Sequence, residues 1–61
     1  MNGKEVLKKL KAAGFVILRI EGSHHRLGSG SIKVSVPVHG SHDIKSGTLA
    51  TIEKQSGVKL K

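Results

Sequence analysis

Three features of the sequence predict an α+β domain of order α-β-β-β-α, a three-stranded antiparallel sheet with two helices on one face. Apolar residues near both ends recur at helical spacing, the middle is rich in β-branched residues alternating with polar ones, and glycines fall at the joints. In the first segment Val6, Leu7, Leu10 and Ala13 share one face of a helix from about Asn2 to Ala13, with Lys4, Lys8, Lys9 and Lys11 mostly off it. Asn2 can cap this helix. Glu5 stands at the capping-box spacing from it, and Gly14 sits where the chain needs a left-handed residue to leave the helix.

Phe15 to Glu21 is mostly β-branched or large and apolar and too short for a second helix, so it is a strand. Alternation puts Val16, Leu18 and Ile20 on one face and Phe15, Ile17, Arg19 and Glu21 on the other. Gly22 makes a turn. A second strand covers His24 to Leu27 and gives way to Gly28-Ser29-Gly30, a flexible connection of hairpin length. In the third strand Ile32, Val34 and Val36 face a core while Ser31, Lys33 and Ser35 face water. Pro37 has no N–H for a central ladder, so pairing stops there and Val38 to Lys45 becomes a loop with His39, Gly40, Ser41, His42 and Asp43. Ser46 is placed to cap a last helix, Gly47 to Ser56, with Leu49 and Ile52 inward and Gly57 closing its end. Val58 and Leu60 pack back, and the last lysine frays.

The chain has 61 residues, 11 Lys and Arg against four Asp and Glu, and no Cys. This length holds one domain, residues 1–61, with a small core and a stability on the order of a few kcal/mol. Neither a disulfide nor a thiolate zinc site can form, and no apolar run approaches the roughly 20 residues that span a bilayer. The first residues lack the apolar stretch of a signal peptide, so a soluble, cytoplasmic protein without membrane contact is expected. A formal net charge of +7 concentrates polyanions around the surface, and nucleic acid or an acidic protein is the partner this charge suits. Phe15 is the single Phe, Tyr or Trp, which argues against base-stacking recognition of the common sheet-based kind and points to phosphates, 2′-hydroxyls and hydrogen bonds. Gly28-Ser29-Gly30-Ser31 lacks the lysine and following helix of a phosphate-binding loop.

Gly22-Ser23-His24-His25-Arg26 is the stretch able to carry chemistry, since imidazole gives and takes protons near neutral pH and a guanidinium holds phosphate. Neighbours on a strand point to opposite faces, so His24 and Arg26 share one side and His25 goes with Leu27. Leu27 belongs in the core, which makes His25 the structural histidine and His24 the exposed one. RNA brings its own nucleophile, the 2′-hydroxyl, so its cleavage needs only a base near that oxygen and positive charge around the phosphate. From the residues alone, a pair of surface histidines more often carries no chemistry at all. His39 and His42, with Asp43 beside them, can also be drawn as metal ligands, but their spacing matches no recognised motif and no metal or other cofactor is expected.

The chain resembles the HicA family of toxins over nearly its whole length. The matching features are Ala13-Gly14-Phe15 at the end of the opening helix, Arg19-Ile20-Glu21-Gly22-Ser23-His24-His25, Val34-Ser35-Val36-Pro37, and Asp43-Ile44-Lys45-Ser46-Gly47-Thr48-Leu49 opening the last helix. Ser46 stands where the family commonly has proline. The resemblance implies a fold like the double-stranded-RNA-binding domain and a metal-independent endoribonuclease that cleaves messenger RNA. It also implies an antitoxin partner of the HicB type, with no direct DNA binding by this chain. The family's catalytic histidine follows a Gly-Ser pair and carries over to His24; on this reading Ser23, Arg26, Lys33 and Lys45 contact the RNA. Two other functions suit the same residues: a non-catalytic RNA-binding module, and a protein-interaction domain whose basic face meets an acidic partner.

Overall fold

A computed structural model describes residues 1–40 and 42–60; Ser41 and Lys61, with the fraying expected of the latter, lie outside the described residues. The chain folds as α1 (Gly3–Ala12), β1 (Val16–Glu21), β2 (His24–Ser29), β3 (Ile32–Pro37) and α2 (Ser46–Ser56). The strands form an antiparallel sheet of order β1-β2-β3, and the helices pack on one of its faces through Val6, Leu10, Leu27, Val34, Val36, Leu49 and Ile52, all buried. This is the predicted α-β-β-β-α architecture.

Local sequence sets the helix ends. The Glu5 amide donates to the Asn2 side-chain oxygen at 2.9 Å and the Asn2 amide donates to a Glu5 carboxylate oxygen at 3.1 Å, completing the capping box. Gly14, with φ of 99°, turns the chain so that the Phe15 amide donates to the Leu10 carbonyl and its ring enters the core. At the other end Gly57 closes α2 in the left-handed conformation. Leu60 then folds back, its amide donating to Glu53 at 3.0 Å and its side chain buried.

Three features differ from the sequence-based reading. β2 continues past Leu27 to Ser29, leaving only Gly30 and Ser31 as the turn, with Gly30 at φ of 60°. Gly28 is part of the strand, paired with Val16 on one side and Lys33 on the other, and its missing side chain makes room for a neighbour: a β-carbon there would stand 2.7 Å from Leu18 Cδ1. Ser46 is the first residue of α2 rather than its cap; Lys45 occupies the N-cap in extended conformation and makes no side-chain cap bond.

The third difference is in β1, where the register shifts between Ile17 and Arg19: Ile17 pairs with Leu27, but Arg19 pairs with Arg26. Leu18 is the extra residue of a bulge, and the alternation expected for β1 is broken there. Ile17 stays on the helix side with Leu27. Arg19 and Glu21, which strict alternation would have put beside Ile17, instead share the helix-free face with their partners Arg26 and His24. Val16, Leu18 and Ile20 are each more than half exposed.

Helix α1 also touches the sheet at one place without a side chain. A β-carbon on Gly3 would lie 2.8 Å from the Pro37 carbonyl oxygen and 2.8 Å from Val38 Cα, so only glycine lets the helix seat against the end of β3. Alanine at position 3 favours an isolated helix by up to about 1 kcal/mol, yet Gly3→Ala is expected to destabilise the protein by about 1–3 kcal/mol through overpacking. Thermal denaturation of the two proteins checks the sign.

Candidate active site

The site is built on β2, the central strand. Leu27 is fully buried between Ile17 and Val34, its partners in the two flanking strands, and this fixes the alternation of the whole strand. His25 therefore faces the helix side with its partners Ile20 and Val36, half-buried, and its Nδ1 is buried without a hydrogen-bond partner among the described residues. His24 is exposed on the opposite face, paired with Glu21 and Pro37. The extra residue of the bulge, Leu18, belongs to β1, between the pairs Arg19–Arg26 and Ile17–Leu27, so β2 itself runs from His24 to Leu27 with its own alternation unbroken.

Two of the cations expected to contact RNA lie on this same helix-free face. Arg26 follows His24 by two residues, and Lys33, opposite Gly28, is its diagonal neighbour on β3. Arg19, which the sequence-based reading had not included, joins them because the bulge places it directly across from Arg26. Arg19 Nε also approaches Glu21 Oε1 at 3.5 Å, with both side chains mostly exposed. Such a pair contributes little to stability. Nothing in the sequence pattern of β1 marks the bulge, so Arg19 could be found only from the structure.

Ser23 contributes through its backbone: its carbonyl accepts the Val38 amide at 2.6 Å. That bond adds one rung beyond the β2–β3 ladder and draws the chain leaving β3 against the start of β2. His39, the next residue, consequently comes to rest with its ring centroid 6.5 Å from that of His24, the two planes at 82°. The sequence held a signal for this. With a two-residue turn at Gly30-Ser31, the register carries outward to pair His24 with Pro37, and His39 must then lie close by.

Beyond His39 opens a pocket of about 310 Å³ lined by Pro37, His39, His42, Asp43, Lys45 and Thr48, between the end of β3 and the start of α2. Its walls are tied down by backbone contacts. The His42 amide donates to the His39 carbonyl at 3.1 Å, the Ile44 amide donates to the Met1 carbonyl at 2.8 Å, and Asp43 forms a bridge with Asn2. Lys45 thus belongs to the pocket wall rather than to the sheet face, and His39 stands where the two meet. Among the described residues no three His, Asp or Glu side chains converge as a metal-binding group, and no helix is long and apolar enough to cross a membrane.

A family model described as HicA toxin of bacterial toxin-antitoxin matches residues 3–58 of the chain. No curated protein matches it.

The opposed orientations of the two adjacent histidines predict opposite costs of truncation. His25→Ala removes packing beneath the sheet and is expected to lower the melting temperature by roughly 4–8 °C for each 1 kcal/mol lost. His24→Ala, an exposed change, is expected to stay within about 0.5 kcal/mol of the parent. Parallel thermal melts of the two variants make the comparison.

Proposed function

The chain belongs to the HicA toxin family, its match covering residues 3–58 of 61, and from that membership and the surroundings of His24 we propose that it is an endoribonuclease toxin. The observation that carries the reading is the exposed His24 on a helix-free sheet face, with Arg19 and Arg26 beside it and Lys33 further along the same face. A ribose-phosphate chain laid on that face meets cations for its phosphates and an imidazole for its 2′-hydroxyl. His24 exchanges a proton with the reacting oxygens as general base or acid, with no metal required. Ser23 holds the turn in place, Arg26 and Lys33 grip the backbone from the sheet, and Lys45 does so from the pocket wall.

Messenger RNA is the substrate class we propose. A HicB-type antitoxin, acting by covering His24, is the partner; acidic groups on such an inhibitor would complement the net charge of +7 and speed its association.

Purified protein in chelator is expected to cleave RNA, and His24→Ala to lose cleavage and the power to arrest growth while keeping its circular dichroism spectrum. Cleavage retained by His24→Ala would remove this residue from the mechanism; salt-sensitive binding without cleavage by the parent protein would instead identify a non-catalytic RNA-binding module. Arg26→Ala and Lys33→Ala should each weaken RNA binding and lower the slope of log K against log salt by about one. Titrations at several salt concentrations read this directly.

A further inference from the structure

Cleavage through the 2′-hydroxyl needs two proton movements, one away from the attacking oxygen and one toward the leaving 5′-oxygen, and the proposed function accounts for one group. The two groups must flank a single phosphorus, because attack and departure are in line. With each imidazole nitrogen within hydrogen-bond reach of its oxygen, about 2.6–3.2 Å, one phosphate fits between rings spaced as His24 and His39 are, with centroids 6.5 Å apart.

Resting on the reading of this face as a ribonuclease site, we propose that His39 is its second catalytic residue, the acid that protonates the leaving 5′-oxygen while His24 takes the 2′ proton. The 2′-oxygen forms a bond to phosphorus as its proton passes to His24. The bond from phosphorus to the 5′-oxygen breaks, its electron pair stays on that oxygen, and the proton of His39 neutralises it. The products are a 2′,3′-cyclic phosphate and a 5′-hydroxyl, and no water is consumed. His24 ends protonated and His39 neutral; both rings are exposed, so solvent resets them.

Three features favour His39 for this role. Its position does not depend on a flexible loop, since the preceding residue is held to Ser23 by the 2.6 Å backbone bond. Its ring stands edge-on to that of His24, at 82°, rather than stacked on it. It also borders the pocket of about 310 Å³, which lies on the His39 side and has room for the nucleoside that departs with the 5′-oxygen. Of the other imidazoles, His25 points beneath the sheet, and His42 lies beyond the turn closed by its bond to the His39 carbonyl.

The test uses an oligoribonucleotide containing a cleavage site mapped with the parent protein, and a matched one in which the leaving 5′-oxygen at that site is replaced by sulfur. A thiolate leaves without a proton. His39→Asn is expected to slow cleavage of the oxygen substrate by at least about 100-fold, the usual range for general acid–base catalysis, and to recover most of that loss on the sulfur substrate. His24→Asn should fail on both. The parent's rate should be bell-shaped in pH, and His39→Asn should lose the alkaline fall. Affinity for an RNA blocked by a 2′-deoxy sugar at the site should change less than threefold in His39→Asn. Cleavage of the oxygen substrate by His39→Asn at the parental rate, or equal loss on both substrates, would overturn the role of His39 and leave that of His24 standing. A His24→Asn variant that cuts both RNAs would remove His24 from the mechanism and overturn the pairing of the two histidines, whereas a parent protein that cuts no RNA would overturn the ribonuclease reading and this proposal with it.

Discussion

The burial of Leu27 in the central strand governs everything placed on it. Burying a leucine fully is worth about 1.5–3 kcal/mol relative to leaving it in water, a large share of what so small a domain can muster. Sliding β2 by one residue would exchange Leu27 for Arg26 beneath the helices, losing that contribution and desolvating a charge. The register is therefore held firmly. His25 goes in with Leu27, and His24 and Arg26 stay out. The backbone bond from Val38 to Ser23 then extends the same order past the end of β3, so that the chemistry of the loop is aligned by the packing of the sheet.

The helices, the three strands and the opposed faces of His24 and His25 were legible because each is specified within a few residues. The Asn2 and Glu5 capping pair, the positive-φ glycines at positions 14 and 57, and the alternation of Val34 and Val36 with Lys33 and Ser35 are local signals that tertiary packing leaves intact; Ile32, expected in the core, is instead exposed, paired with Ser29 at the hairpin end of the sheet. What escaped the sequence was set by partners far along the chain. Gly28 reads as a loop residue until Leu18 is seen above it, and Arg19 reads as a neighbour of Ile17 until the bulge separates them. At Ser46 the local preference was misleading. A serine ahead of an apolar run is a good N-cap, but the chain starts α2 one residue earlier, with Lys45 extended and bordering the pocket. Of the residues assigned to RNA, Arg26 falls beside His24 and Lys33 further along the same face, while Lys45 lines the pocket with His39.

Arginines directly opposite one another on adjacent antiparallel strands repel, and Arg19 and Arg26 are such a pair. Glu21, at 3.5 Å from Arg19, offsets only part of this because the contact is exposed. With Lys33 diagonal to Arg26, the sheet carries a concentration of like charge that folding alone does not call for. An anion bound across it would relieve the repulsion. On the proposed function, stability and ligand binding would pull in opposite directions on this face.

The bulge has a further consequence, for how this sequence can change over time. Leu18 lies over the bare backbone of Gly28, and a methyl group added at position 28 would come within 2.7 Å of it. The two positions share one volume, so bulk introduced at one must be given up at the other. Their permitted residues are coupled although ten residues of chain separate them, and in related sequences they should drift as a pair, large with small.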